Sequence, residues 1–164
     1  MHAVLCLLLW SGCARAVPPG ESDVPGVDEA VPARVVAIGD LHGDRAAALQ
    51  VLRLAGLVDA HAKWAGGTAV LVQTGDTVDR GPDSKGVLEL MRRLVIEAEA
   101  TGGKVIPLLG NHEVMNLQGD LRYVSPPDVE AFGGAAKRAE ALGPSGELGA
   151  WLRTLDVATA VGDT

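Results

Sequence analysis

Three short polar clusters, each following an apolar run and each opened by glycine, hold the residues of this chain that could bind a metal or move a proton. The central one is Gly75-Asp76-Thr77-Val78-Asp79-Arg80-Gly81, just past the apolar run Ala69 to Val72. Upstream, Arg34 to Ile38 runs into Gly39-Asp40-Leu41-His42-Gly43; downstream, Lys104 to Leu109 runs into Gly110-Asn111-His112-Glu113. A carboxylate at the C-terminal end of a strand lies where open α/β sheets gather their ligands, and flanking glycines let the backbone turn sharply and approach closely. Asp76, so placed, could bridge two metal ions. Each cluster alone is ordinary loop chemistry. Together, three strand ends would deliver oxygen and nitrogen ligands to one place.

In order and spacing the clusters read GDxHG, GDxxDRG and GNHE. On these three motifs the sequence resembles the calcineurin-like metallophosphoesterases, over roughly Arg34 to the C-terminus. The run Asn116-Leu117-Gln118-Gly119-Asp120-Leu121-Arg122-Tyr123-Val124 is similar to the segment after the third motif in the bacterial-type phosphoprotein phosphatases, in particular the Shewanella-like group. Leu109 agrees with that group, since the eukaryotic Ser/Thr phosphatases carry an arginine just before this glycine.

The resemblance implies a metal-dependent phosphoric monoester hydrolase, a protein phosphatase using a hydroxide bridged by two metals. Such hydrolysis at neutral pH needs a strong nucleophile, charge neutralisation on three phosphoryl oxygens and a proton for the leaving oxygen. Two cations about 3.5 to 4 Å apart meet the first two needs. By resemblance Asp40 and His42 bind the first metal, Asp76 bridges, and Asn111 binds the second and reaches the substrate. A mixed carboxylate, imidazole and amide set suits Mn, Fe or Zn better than a pure oxygen site for Ca or Mg. The family implies Mn, or Fe with Zn. His112 directly follows Asn111, so it can face the leaving group without being a ligand, as the general acid. Asp79 resembles the carboxylate that orients this histidine, and Arg80 the arginine that grips the phosphate through its planar fork.

One departure stands out. The family takes two more histidines for the second metal, and another to support the site, from later segments, yet no histidine follows His112. The expectation is a domain incomplete at its C-terminus, short of ligands for the second metal. Two other readings stand beside the phosphatase: a dinucleoside polyphosphate hydrolase, which shares all three motifs, and an inactive truncated fragment binding at most one metal. The substrate is accordingly a phosphorylated protein or a small phosphate ester.

To position these clusters the chain must be α/β, with a βαβαβ core that by resemblance is the N-terminal part of the metallophosphoesterase β-sandwich with flanking helices. Parallel strands are predicted at Arg34 to Ile38, Ala69 to Gln73 and Val105 to Leu109, with helices on the sheet's faces. The unbroken run Val35 to Ile38 predicts a strand buried on both sides. Asp44 is a candidate N-cap for a helix over Ala47 to Ala55 that Gly56 ends. Pro82-Asp83-Ser84 opens a second helix whose Val87, Leu88, Met91, Leu94, Val95 and Ala98 share one face, with Gly102-Gly103 as the stop. Pro107 predicts a bulge or irregular pairing. Further on, Ser125-Pro126 marks a helix start, and Leu148, Trp151, Leu152 and Leu155 mark a last amphipathic helix. Val157 to Val161 reads as a strand, with Gly162-Asp163 as a hairpin turn.

The 164-residue chain carries a formal net charge of -7. That is a poor basis for binding nucleic acid or an anionic membrane by electrostatics, and it requires metal cations beside any phosphate substrate. Residues 1–16 read as an export signal, with an apolar core from Ala3 to Trp10 too short to span a bilayer and an Ala14-Arg15-Ala16 cleavage pattern, although no Lys or Arg precedes the core. A lipoprotein signal with Cys13 as lipid acceptor is the variant. Both place the protein outside the cytoplasm, in the periplasm or anchored to a membrane; a cytoplasmic chain is the alternative. Residues 17–33, with four prolines and no basic residue, read as an extended linker, and residues 34–164 as the metallophosphoesterase domain. Cys6 and Cys13 are the only cysteines, so the domain has no disulfide framework.

Overall fold

The computed structural model describes residues 34–162. The signal read in residues 1–16 and the linker read in residues 17–33 lie outside the described residues. Within them, β1 (Val35–Ile38), β2 (Val70–Gln73) and β3 (Lys104–Pro107) form a parallel sheet in the order β1-β2-β3, and α1 (Arg45–Leu54) and α2 (Ser84–Glu99) are the two crossovers. Ile38 stands opposite Gln73, and Gln73 opposite Pro107, so the three strands end level and the three polar clusters emerge side by side.

Two right-handed crossovers stepping in one direction put both helices on the same face of the sheet. On that face Val36, Ile38, Leu71 and Val105 pack against Ala48, Leu52, Val87, Leu90, Met91 and Leu94. The other face carries Val70, Val72 and Leu108, joined by Ile106 and Val161. All four residues of β2 are buried, but Val35 and Ala37 of β1 are exposed. The expectation of two-sided burial for Val35 to Ile38 thus fails, and it is the central strand that is buried on both sides. β1 is an edge of this sheet, and the side that Val35 and Ala37 face is not the one α1 and α2 cover.

The helix starts are set by side-chain caps. Asp44 accepts from Ala47 N–H at 2.9 Å, and Asp83 accepts from Gly86 N–H at 2.7 Å. Four helices come after the sheet: α3 (Asn111–Leu117), α4 (Pro126–Ala131), α5 (Ala135–Leu142) and α6 (Glu147–Leu152). Of these, α3 and α5 have no counterpart among the helices expected from the sequence. Phe132, Leu142, Leu148 and Leu152 gather around Val78 and Leu88, which fastens α4, α5 and α6 to the loop after β2.

Two further expectations are corrected. Pro107 causes no bulge, because Lys104 and Leu108 donate their N–H groups to Ala69, just before β2, and to Gln73 at its end, so the alternate position 107 turns its missing donor away from the ladder. Residues 157–161 form no strand. The chain meets the rim of β3 through Leu109 N–H to the Asp156 carbonyl at 2.8 Å and then continues as irregular backbone, with Val157 73% exposed. The hairpin turn read at Gly162-Asp163 extends past the described residues. No helix among them is long and apolar enough to cross a membrane.

Glu97 joins the C-terminal half of α2 to the loop after α1. Burial raises its pKa, but the Trp64 N–H at 2.9 Å, Arg93 at 2.6 Å and Lys63 at 3.0 Å outweigh that and lower it to about 2. A depressed carboxylate pKa gives stability that is complete above the unfolded value and lost as pH falls through the folded one. Glu97→Gln is therefore expected to be less stable than the native chain at pH 6 to 7 on the order of the hydrogen bonds lost, with the gap closing from about pH 4.5 toward pH 2. Urea midpoints of both proteins across that range check it, and a gap independent of pH would contradict it.

Candidate active site

The second cluster makes a loop with an unusual backbone. Asp76, Asp79 and Arg80 have φ of 56°, 69° and 63°, and His42 in the first loop has 43°. Non-glycine residues rarely occupy this left-handed region, at a cost of about 1 to 3 kcal/mol each, and persist there only where their surroundings hold them. Ser84 Oγ holds the N–H of Asp79 at 3.0 Å and the Tyr123 carbonyl that of Arg80 at 2.9 Å, while Asp76 is held by Glu113, fully buried in the first turn of α3. Its Oε1 accepts from Thr77 N–H at 2.7 Å, Thr77 Oγ1–H at 2.7 Å and Val78 N–H at 3.3 Å. Its Oε2 accepts from Asp76 N–H and Gly110 N–H, both at 2.8 Å. The first loop is joined in the same way: Leu41 and His42 donate N–H groups to the Asp76 carbonyl at 3.0 and 2.9 Å, and Gln73 Nε2 donates to the Gly39 and Gly75 carbonyls. Gly75 and Gly110 meet so closely that a Cβ on Gly75 would strike the Gly110 backbone and one on Gly110 would strike Asp76. Only glycine allows the second and third loops this approach.

Inside this frame His42, Asp76 and His112 offer ligand atoms that all lie within 4.8 Å of one another. His42 Nδ1 lies 3.0 Å from the Val78 carbonyl, which can only accept, so Nδ1 carries the hydrogen and Nε2 the lone pair. That Nε2 is buried and has no hydrogen-bond partner; Asp40 Oδ2 is 3.4 Å away but out of hydrogen-bonding geometry. An orphaned buried imidazole nitrogen beside two carboxylates is a donor set that fits a divalent cation. Asp40 is largely exposed next to it, and Asn111 is exposed at the first position of α3, directly after the Gly110 that lies against Asp76.

His112 faces the same space from the other side, its ring edge-on to His42 with centroids 4.7 Å apart. Its backbone N–H donates to Asp76 Oδ1 at 2.9 Å. Arg80 Nη2 lies 3.1 Å from His112 Nε2, and a guanidinium can only donate, so Nε2 accepts and Nδ1–H is left to donate to Asp79 Oδ2 at 2.9 Å. Arg80 itself is exposed and lies over the Tyr123 ring, 5.8 Å from its centroid, while its N–H donates to the Tyr123 carbonyl. The structure therefore brings His42, Asp76, Asp79, Arg80 and His112 into one group, with Asp40 and Asn111 at its exposed rim.

A protein-family model described as calcineurin-like phosphoesterase matches residues 33–159. The chain belongs to that family. Shewanella-like protein phosphatase 2 of Arabidopsis thaliana is 46% identical over 101 residues, covering 62% of this chain and 26% of that protein. Shewanella-like protein phosphatase 1 of Plasmodium berghei is 37% identical over 99 residues, covering 60% of this chain and 27% of that protein. Among solved structures, the cold-active protein-tyrosine phosphatase of a psychrophilic Shewanella species matches with a TM-score of 0.66 at 37% identity, over 74% of this chain and 37% of that chain. The chain thus spans well under half the length of each of these proteins, and the parallel sheet with flanking helices is the fold of its family.

In this calcineurin-like phosphoesterase several site residues escaped sequence reasoning. Glu113 could have been found, since Gly110-x-x-Glu113 is half of a capping box in which the glutamate reaches back to the N-cap N–H. Asn116, Ser84, Asp128 and Arg138, all buried around Asp79, have no such signature. Glu113→Gln keeps the shape but turns an amide donor toward groups that are themselves donors. It is expected to lower stability by about 3 kcal/mol, against less than about 0.5 kcal/mol for the exposed Glu99→Gln control. Paired urea denaturation measures both, and a Glu113→Gln loss no larger than the control's would show that the carboxylate does not hold the loops.

Proposed function

We propose that this chain carries the site of a metal-dependent phosphoric monoester hydrolase acting on phosphorylated protein. The observation that carries the reading is the buried, unpartnered His42 Nε2, fixed by its other nitrogen on Val78 and grouped with Asp76 beside the His112–Asp79 pair. Asp40 and His42 would hold one cation, Asp76 would serve both, and Asn111 would contribute to the second, Mn or Fe with Zn suiting this mixture of donors. When bound, the metals supply a nucleophile from water at neutral pH and neutralise charge on the phosphoryl oxygens.

The chain's own residues do the rest. The planar fork of Arg80 suits two phosphoryl oxygens, and swinging onto them frees His112 Nε2 to take a proton from solvent, the resulting cation facing Asp79, and to give it to the leaving oxygen. Asp79 keeps the His112 Nδ1–H engaged, so the ring holds one orientation as the proton moves from Nε2 to the leaving group. The similarity to Shewanella-like protein phosphatases and to a protein-tyrosine phosphatase favours a phosphorylated protein over a nucleotide.

Asp76→Asn is expected to abolish hydrolysis together with metal binding. His112→Asn is expected to leave metal binding intact and slow turnover by about 10²- to 10⁴-fold. Calorimetric titration with Mn, followed by assays on phosphotyrosine peptide, phosphoserine peptide and dinucleoside tetraphosphate, tests both. Mn binding with no cleavage of either peptide would sink the protein-phosphatase reading, and normal turnover by His112→Asn on a peptide would remove the proton-donor role.

A further inference from the structure

Arg138, in α5 and only 4% exposed, is a buried cation to which the proposed hydrolysis gives no task. Taken alone it would be a structural ion pair, since its Nε donates to Asp128 Oδ2 at 2.9 Å. Its second arm goes elsewhere. Arg138 Nη2 donates to Asn116 Oδ1 at 2.8 Å and stands 3.5 Å from Asp79 Oδ1. Because a guanidinium has no acceptor, Asn116 must turn its oxygen to Arg138 and its NH2 the other way. That NH2 donates to Asp79 Oδ1 at 2.9 Å, to Asp79 Oδ2 at 3.0 Å and to the His112 carbonyl at 2.9 Å. The circuit closes on the far side, where Ser84 N–H donates to Asp128 Oδ1 at 2.7 Å and Ser84 Oγ accepts from Asp79 N–H at 3.0 Å.

Asp79 is fully buried, so its carboxylate has no bulk water to settle its orientation. Were the Asn116 amide to flip, its oxygen would face Asp79 and repel it, loosening the acceptor of His112 Nδ1–H. We infer that Arg138 is a positioning residue for His112: anchored on Asp128, it fixes the Asn116 amide, which fixes the Asp79 carboxylate, which aims the imidazole. A planar fork with two separated N–H directions is what this needs, and lysine cannot supply it from one ammonium. Through Arg138 and Asp128, helices α5 and α4 take part in a site they do not line. The inference rests on the reading of His112 as proton donor.

The test uses the Mn-loaded full chain with two esters, phenyl phosphate, whose leaving group needs a proton, and 2,4-dinitrophenyl phosphate, whose leaving group does not. His112→Asn provides the reference, with a kcat loss of about 10²-fold or more on the first ester and a far smaller one on the second. Arg138→Lys is expected to lose about tenfold in kcat on phenyl phosphate alone, with KM unchanged on both, because it misplaces the acid and removes no substrate contact. Asp128→Asn, which keeps an acceptor for Ser84 and the charge of Arg138, should shift the same ratio in the same direction and serves if Arg138→Lys fails to fold. Independently of activity, and read on the metal-free protein where no paramagnetic Mn broadens it, the His112 Nδ1–H proton should give a slowly exchanging imidazole NMR signal in the native chain and a lost or rapidly exchanging one in the variants. Equal kcat losses on both esters with the signal retained in folded variants would overturn the inference. If His112→Asn itself fails to distinguish the esters, the proton-donor reading falls, and the NMR signal still decides whether Arg138 holds the ring.

Discussion

A single buried carboxylate sets the geometry of this molecule. Glu113 receives five donors from Asp76, Thr77, Val78 and Gly110, so the loop after β2 and the start of α3 share one anion. Leaving such a carboxylate unpaired inside the protein would be costly, and each donor it satisfies is a backbone or hydroxyl group that would otherwise be stranded. The arrangement therefore forms as a unit. It brings Asp76 and His112 together before any metal is involved, and it offsets the left-handed backbone of Asp76.

Around this anion the site divides into two layers with different solvent contact. The outer layer, Asp40, Asn111 and Arg80, is exposed and free to meet a charged ligand. The inner layer, Asp79, His112, Asn116, Asp128 and Arg138, is buried, and the order of its hydrogen bonds leaves each amide and imidazole one orientation. Low polarity around the inner layer strengthens each of these bonds and makes any unmet one costly. Rigidity inside and access outside is the combination that the proposed hydrolysis of a doubly charged ester needs.

Much of this was legible in the sequence, and the remainder was hidden for physical reasons. Strand positions and the polar clusters show because apolar runs followed by glycine and a carboxylate are local patterns. Helix α3 was obscured because Asn111, His112 and Glu113 look like chemistry, and the same residues also make the first helical turn. Helix α5 was obscured because it buries little beyond Arg138 and Leu142, so its sequence carries almost no apolar stripe. Val157 to Val161 has strand-like residues, but propensity yields to context, and among the described residues the segment takes no strand conformation. The Arg138 circuit joins residues 10, 22 and 44 positions apart, and no window along the chain could reveal it.

The level ends of the three strands also divide the chain by how it tolerates changes of length. Each strand is only four residues long. Side chains alternate across a sheet, so one inserted or deleted residue within β2 would exchange its two buried faces and carry Asp76 to the wrong side of the rim. The crossover loops have no such parity and can lengthen with little entropic cost. Drift in this protein should therefore accumulate as insertions in the connections, while the distance from each strand to its glycine stays constant.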